Sequence, residues 1–125
     1  MKNLSLLLFS FLFLSTLQAQ TTIDLTGKQF EQIDDIPSTT TLYFKSNTTA
    51  SYVMVSTIGG KTYRDECSCK ATISGNKISI NCICDDKEIY PDPIKDSFVY
   101  DPQSQTLTST SYRTVAGKYF VWKSK

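Results

Sequence analysis

Polar and apolar side chains alternate along two short stretches that flank a Gly75-Asn76 dipeptide. A two-residue hairpin turn at this dipeptide sets Cys67 opposite Cys84 and Cys69 opposite Cys82. In that register one face of the strand pair carries only Cys, Ala and Ile, and the other face is polar with one exception. A slip of one residue would mix the two faces. The pattern therefore predicts a β-hairpin with a defined register and one buried face.

Further strands are predicted where β-branched and aromatic residues form short runs between turn residues. These runs are 42–45, 52–58, 61–73, 77–85, 97–100, 105–114 and 118–123. A Gly59-Gly60 turn joins two of them. The charged segment Arg64-Asp65-Glu66 interrupts the alternation, so we expect a bulge or bend there. In the last hairpin, a turn at Ala116-Gly117 would set Trp122 opposite Ser111.

The segment 27–36 is ambiguous. Phe30, Ile33 and Ile36 recur at helical spacing, and Pro37 would end such a helix. We expect either a short helix or a first strand here.

A second irregular segment is 87–96. Its Pro91-Asp92-Pro93 centre excludes a central strand, because proline donates no ladder hydrogen bond. Three apolar side chains make it less polar than a plain connector. We therefore predict a loop packed over one end of the fold, in preference to a binding lip.

The N-terminus has the composition of a secretory signal peptide. Lys2 precedes an apolar run over 4–17, and small or polar residues follow. The run is too short to span a membrane comfortably. We predict a signal peptide at 1–19, with cleavage after Ala19, and one exported domain at 20–125. The predicted location is the periplasm or the extracellular space.

Export to an oxidising compartment favours disulfides as the state of the four cysteines. The predicted bonds are Cys67–Cys84 and Cys69–Cys82. A four-thiolate zinc site is less favoured, because zinc pairs usually have two to four intervening residues on a turn. A redox-active Cys-x-Cys pair lacks the helix N-terminus that activates such thiols.

Charge does not indicate a nucleic acid partner. The chain has 13 basic and 12 acidic side chains, and loss of Lys2 with the signal peptide would balance them. No basic patch is evident along the sequence. No second apolar run is long enough to span a membrane, and we expect a monomer.

Seven or eight antiparallel strands joined by hairpins in one small domain predict an all-β meander that closes into an up-and-down barrel. Several motifs fit this: a glycine before the first strand (Gly27), an Asn47-Thr48 turn after an apolar strand, the Gly75-Asn76 hairpin and a closing Gly117-Lys118-Tyr119-Phe120 strand. In these features the chain resembles the small exported lipocalin-like barrels of bacteria. The resemblance implies a fold and assigns no functional residue.

Catalytic chemistry finds little support in the sequence. The chain has no histidine, so Ser-His and Cys-His pairs and the usual general base are missing. The adjacent carboxylates Asp34-Asp35 and Asp85-Asp86 fit turns better than a shared site. No phosphate-binding glycine pattern occurs, and we expect no cofactor and no enzymatic activity. Asn47-Thr48-Thr49 matches a glycosylation acceptor.

Three functional hypotheses remain. The first is an exported binding module that holds a small apolar or amphipathic ligand in the barrel mouth. The second is a module that binds a protein, such as an inhibitor or immunity factor against an exported hydrolase. The third is a thiol redox protein that uses the paired cysteines. Five tyrosines are available as anchors for the second: Tyr43, Tyr63, Tyr90, Tyr112 and Tyr119.

Overall fold

Eight antiparallel strands provide the regular structure of this computed structural model, which describes residues 23–33, 38–114 and 116–125. The strands are β1 (Gln29–Ile33), β2 (Ser38–Phe44), β3 (Thr49–Ile58), β4 (Lys61–Ser74), β5 (Lys77–Cys84), β6 (Ile94–Asp101), β7 (Thr106–Arg113) and β8 (Tyr119–Ser124). The predicted signal peptide at 1–19 lies outside the described residues, as does Asp34-Asp35.

Each strand pairs with the next along the chain, and β1 pairs with β8 to close the barrel. This confirms the predicted all-β, up-and-down architecture. Closure leaves the sheet without first and last edge strands, which removes the usual sites of edge-to-edge association. No helix in the described ranges is long and apolar enough to cross a membrane.

The barrel has two different ends. The loops after β2, β4 and β6 meet at one end, together with residues 23–28, and we call this the closed end. The turn after β3 and the connections after β5 and β7 meet at the other end, which we call the mouth. Strands β2, β5 and β6 alternate strictly between more and less buried positions, so one set of their side chains fills the interior.

The β4–β5 hairpin has the register predicted from the sequence. Cys67 faces Cys84, Cys69 faces Cys82, and the pairing continues to Ser74 opposite Lys77. Gly75 has a φ of 61°, whereas Asn76 is not left-handed. A turn with only its first central residue at positive φ is the type II′ turn, whose twist matches that of paired strands.

The ambiguous segment forms a strand, so the helical alternative is wrong. Phe30 pairs with Leu42 of β2 and with Ser124 of β8, and its side chain is fully buried. Strand pairing on both sides outweighs the spacing of three apolar residues, because the barrel offers hydrogen-bond partners that an isolated helix turn lacks. Two residues of the helical pattern, Ile36 and Pro37, lie outside the described ranges.

No bulge is present at Arg64-Asp65-Glu66, where the sequence predicts a bulge or bend. These residues face Val55, Met54 and Val53 in one unbroken register that runs from Lys61 to Lys70. The charged side chains do not require a bulge, because this end of β4 is exposed or half-buried and its pattern is not set by a core.

A register shift falls instead between β7 and β8. Trp122 faces Leu107, not the predicted Ser111, and the regular pairing breaks between Thr108 and Arg113. The Ser109 hydroxyl accepts hydrogen bonds from the backbone N–H groups of Ser111 and Tyr112 at 3.2 and 3.0 Å. Two donors of β7 thus turn toward a side chain of their own strand, and the ladder is interrupted there.

The closed end is sealed by the segment that precedes β1. Leu25 is fully buried beneath the barrel, and the side chain of Asn47 holds this segment in place. The Asn47 Oδ1 atom accepts from the Leu25 N–H at 2.8 Å, and its Nδ2 atom donates to the Ile23 carbonyl at 3.1 Å. In the folded protein, the nitrogen that a glycan would modify is therefore engaged in a structural hydrogen bond.

Candidate binding site

The interior of the barrel is occupied by side chains. Its largest fully buried members are Trp122, Phe30, Phe44, Phe98, Leu25, Leu42, Ile78 and Leu107. The aromatic rings meet edge to face: the Phe30 and Phe44 centroids are 6.0 Å apart, and those of Phe98 and Trp122 are 5.9 Å apart. This packing fills the barrel with hydrophobic side chains from the closed end to its middle.

The two disulfides form part of this interior. Cys67 is bonded to Cys84 and Cys69 to Cys82, with Cα atoms 3.8 and 3.9 Å apart. All four side chains are at most 4% exposed. Exchange requires a thiolate to reach a disulfide sulfur, so buried bonds of this kind are poor redox centres. Their presence indicates an oxidising environment.

The mouth presents a ring of exposed apolar side chains, which we call the rim. Among the described residues, six of the seven large hydrophobic side chains that are exposed belong to it: Ile33, Ile58, Tyr63, Ile89, Tyr112 and Tyr119. Each lies at the mouth end of its strand or in the β5–β6 loop. The seventh, Ile83, lies on the outer wall of β5. Hydrophobic residues scattered singly on a surface are ordinary, whereas large contiguous exposed patches are typical of association sites.

The β5–β6 loop forms part of the mouth, as predicted for a loop packed over a barrel end, but residues 94–96 of the predicted loop belong to β6. Tyr90 and Ile94 pack against the core, and the Tyr90 hydroxyl lies 3.6 Å from the Met54 sulfur. Ile89 of the same loop is 61% exposed. The loop therefore covers part of the mouth and adds one apolar residue to the rim.

The predicted tyrosine anchors separate into three groups. Tyr63, Tyr112 and Tyr119 are rim residues, and the Arg113 guanidinium lies over the Tyr119 ring at 4.4 Å. Tyr90 folds inward, and Tyr43 lies near the closed end of β2. The three rim isoleucines were not predicted from the sequence. The signal that would have found them is that each stands at a strand end or in a loop on the same side of the meander.

A polar cluster lies beneath the mouth. Asp96 is 8% exposed, and its Oδ1 atom accepts from the Ser109 hydroxyl at 2.8 Å and from the Ser97 N–H at 2.7 Å. Burial raises the pKa of Asp96 above its ordinary value, and these two hydrogen bonds oppose that shift in part. Burial, followed by the charge of Asp96, also raises the pKa of Tyr52, which remains a neutral phenol at neutral pH.

The indole of Trp122 adjoins this cluster. Its ring centroid is 5.6 Å from that of Tyr52, and its Nε1–H finds no acceptor in the described part of the chain. A buried donor without an acceptor is uncommon, because leaving it unpaired costs on the order of 1–3 kcal/mol. The interior just beneath the mouth thus combines a buried carboxylate, a phenol and an indole N–H.

We expect Asp96→Asn to stabilise the protein at neutral pH. A carboxyl with a raised folded-state pKa stabilises the fold most below its ordinary value of 3.8, and that contribution is lost as pH rises through the raised value. The neutral amide keeps an Oδ1 acceptor for Ser109 and Ser97 without the cost of burying a charge. Thermal melts at pH 3 and pH 7 should give a melting temperature increase at pH 7 that disappears at pH 3.

Asp92 of the β5–β6 loop provides the matched control. Its carboxylate is exposed, so Asp92→Asn removes the same charge without relieving the cost of burying it. A change in melting temperature on Asp96→Asn that is equal at pH 3 and pH 7 would contradict a raised pKa for Asp96.

Two open grooves lie on the outer wall, and the lining of the second includes the rim residue Ile33. One, of about 470 Å³, lies across β4, β5 and β6 and is lined mainly by hydroxyls and by Lys70 and Lys95. The other, of about 350 Å³, lies beside Glu31 and Lys123 on β1 and β8. Within the described ranges no three His, Cys, Asp or Glu side chains are grouped to hold a metal ion.

Comparisons of the chain with protein-family models, with curated proteins and with solved structures give no match. What the structure defines is a class of architecture, a disulfide-linked eight-stranded up-and-down barrel.

Proposed function

We propose that this protein is an exported, non-enzymatic binding module whose rim binds an apolar surface of a partner protein. The observation that carries the proposal is the position of the exposed hydrophobic side chains, six of which surround one end of the barrel. Three of the six are tyrosines, a residue enriched where binding energy is concentrated. The closed end offers no comparable cluster in the described residues.

A protein partner fits this surface better than a small ligand held inside. The barrel interior is occupied by aromatic and aliphatic side chains, whereas ligand-binding barrels keep a cavity. The rim side chains come from five strands and one loop, so an occupant that touched them all would have to cover the whole mouth.

A small apolar ligand seated at the mouth is the second candidate. It is favoured by the buried Trp122 Nε1–H, which has no acceptor among the described residues, and by the half-buried Tyr52 and Met54 beneath the mouth. A ligand with one acceptor and an apolar body would satisfy the indole.

Export is part of the proposal and has two supports. One is the signal-peptide pattern of residues 1–19. The other is the pair of disulfides, which are rare in reducing compartments. Burial of all four sulfurs supports a structural role for these bonds in place of the redox function considered from the sequence.

We expect Ile33→Ser/Ile89→Ser to abolish binding of the partner with little loss of stability. Both side chains are more than half exposed, and surface changes usually alter stability by less than about 0.5 kcal/mol. The measurement is quantitative crosslinking of the purified protein to exported proteins of its own host. One partner should be enriched by the wild type and lost with the double variant.

Ile83→Ser is the matched control, because Ile83 is equally exposed at 58% but lies on the outer wall. A partner lost equally with Ile83→Ser would show that the rim is not the site. Native mass spectrometry of protein recovered from the host separates the two candidates. A retained small molecule that is lost from Ile33→Ser/Ile89→Ser would replace the protein partner with a small ligand.

A further inference from the structure

Strand β4 is longer than its neighbour β5, and this leaves a short free edge inside an otherwise closed sheet. The β4–β5 ladder ends where Cys67 faces Cys84, with one more hydrogen bond from the Asp85 N–H to the Glu66 carbonyl at 3.1 Å. Residues 61–65 continue toward the mouth and, among the described residues, pair with β3 alone. In this stretch the residues Lys61, Thr62, Tyr63 and Arg64 are exposed to solvent.

The direction of the backbone groups along this edge follows from the hairpin register. Ile58 and Lys61 flank a two-residue turn, so they form a hydrogen-bonded pair, and odd-numbered positions of β4 bond to β3. Even-numbered positions then point away from β3, which agrees with the bond from Asp85 to Glu66. Thr62 and Arg64 therefore direct both N–H and C=O to the free side, and no described backbone group bonds to them there.

Charged residues usually protect such an edge from association. Here the charges are of both signs, and the segment is complementary to itself. When two copies run antiparallel with Tyr63 opposite Tyr63, Lys61 of each copy faces Asp65 of the other. Thr62 faces Arg64 in the same register, and both are positions with free backbone groups.

The neighbouring register centred on Arg64 is less favourable. If Arg64 is placed opposite Arg64, two guanidinium groups face each other, and like charges directly opposite are destabilising. That register would also pair Thr62 with Glu66 of the other copy, and the Glu66 carbonyl already accepts a hydrogen bond from the Asp85 N–H.

We propose that two copies of this chain associate through the free β4 edges, in a two-fold symmetric dimer centred on Tyr63. Symmetric pairing of one edge with itself closes the assembly, so it forms dimers and not filaments. Each dimer gains four backbone hydrogen bonds from Thr62 and Arg64 and two Lys61–Asp65 ion pairs. Tyr63 of each copy, 51% exposed in the single chain, is covered at the centre.

The dimer is weak, since the edge is only five residues long and its buried area falls below that of stable interfaces, about 1,000 Å². It forms at high protein concentration and dissociates on dilution. The proposal therefore differs from the monomer expected from the sequence, which stays a prediction.

Charge-swap variants test the register. Sedimentation velocity over a concentration series should show dimerisation weakened by about tenfold or more in Lys61→Asp and in Asp65→Lys, because each variant sets like charges opposite each other twice. Combining both changes in one chain should restore dimerisation. An equimolar mixture of the two single variants should form heterodimers, since each supplies the charge that the other lacks.

Thr62→Pro tests the backbone contribution. The Thr62 N–H points to the free side, so proline there leaves the β3–β4 ladder intact, as at other edge positions. Dimerisation should be lost while the melting temperature stays near that of the wild type. Thr62→Val, which keeps the N–H, should still dimerise.

Three outcomes would overturn the proposal. The first is a wild type that remains monomeric at millimolar concentration, even if its edge accepts a strand of another protein. The second is a dimer that is insensitive to both single charge swaps. The third is a folded Thr62→Pro protein that dimerises as the wild type does. If Thr62→Pro does not fold, the charge swaps and the heterodimer still decide the question.

Discussion

Replacement of all four cysteines by alanine should lower the free energy of unfolding by about 3 kcal/mol, whereas removal of either disulfide alone should cost much less. The Cys69–Cys82 bond closes a separation of 13 residues inside the 17 closed by Cys67–Cys84. The denatured chain stays restricted as long as one bond remains, so the second bond adds little. The loss should therefore be strongly non-additive when measured by urea unfolding of the two pair variants and the quadruple variant.

A control on the same two strands separates cross-linking from general damage to the hairpin. Ser68 faces Ile83 between the two disulfides, on the exposed face. Ser68→Ala/Ile83→Ala should change stability by no more than about 0.5 kcal/mol. Equal losses from the two pair variants that sum to the quadruple loss would refute the nested-loop explanation. If the quadruple variant still binds the partner below its new melting temperature, the disulfides have only a structural role.

Trp122→Ala should cost about 3–5 kcal/mol, the largest loss expected from a single substitution in this chain. Trp122 is 1% exposed and contacts the rings of Phe98 and Tyr52, so alanine leaves a cavity in the centre of the barrel. Trp122→Phe should cost less than half as much. Phenylalanine keeps an aromatic ring at the site and removes the N–H that lacks an acceptor.

Both Trp122 variants remove the only tryptophan, so unfolding should be followed by far-ultraviolet circular dichroism and not by fluorescence. Tyr112→Ala is a suitable control, because this aromatic side chain is 47% exposed and belongs to the rim. Its loss should be small. Trp122→Phe as damaging as Trp122→Ala would indicate that the indole N–H has a partner, such as a bound water or ligand.

The sequence predicts the parts of this fold whose information is local. In the β4–β5 hairpin, strict alternation and a two-residue turn act together, and a slip of one residue would move the cysteines to the exposed face. The Gly59-Gly60 hairpin is predicted for the same reason, and its two residues at positive φ match the expected turn. Seven strand positions and barrel closure follow from the spacing of such hairpins.

Other features depend on contacts between distant parts of the chain. The β7–β8 register cannot be obtained from the turn alone, because Ser109 bonds to two N–H groups of its own strand and to Asp96 of β6. The first strand is ambiguous in sequence because its partners are β2 and β8. The rim is assembled from residues spread between Ile33 and Tyr119, and only closure of the barrel brings them to one end.

The sealed end of the barrel also fixes the polarity of the molecule. Ile23 is held there by Asn47, and Lys125 bonds to the Gln29 carbonyl at the same end, so the chain enters and leaves the domain on the side opposite the rim. A tether attached at Lys125, whether to a sensor chip or to a fused protein, would therefore present the rim outward. Both termini of the described domain are available for anchoring without obstructing the mouth.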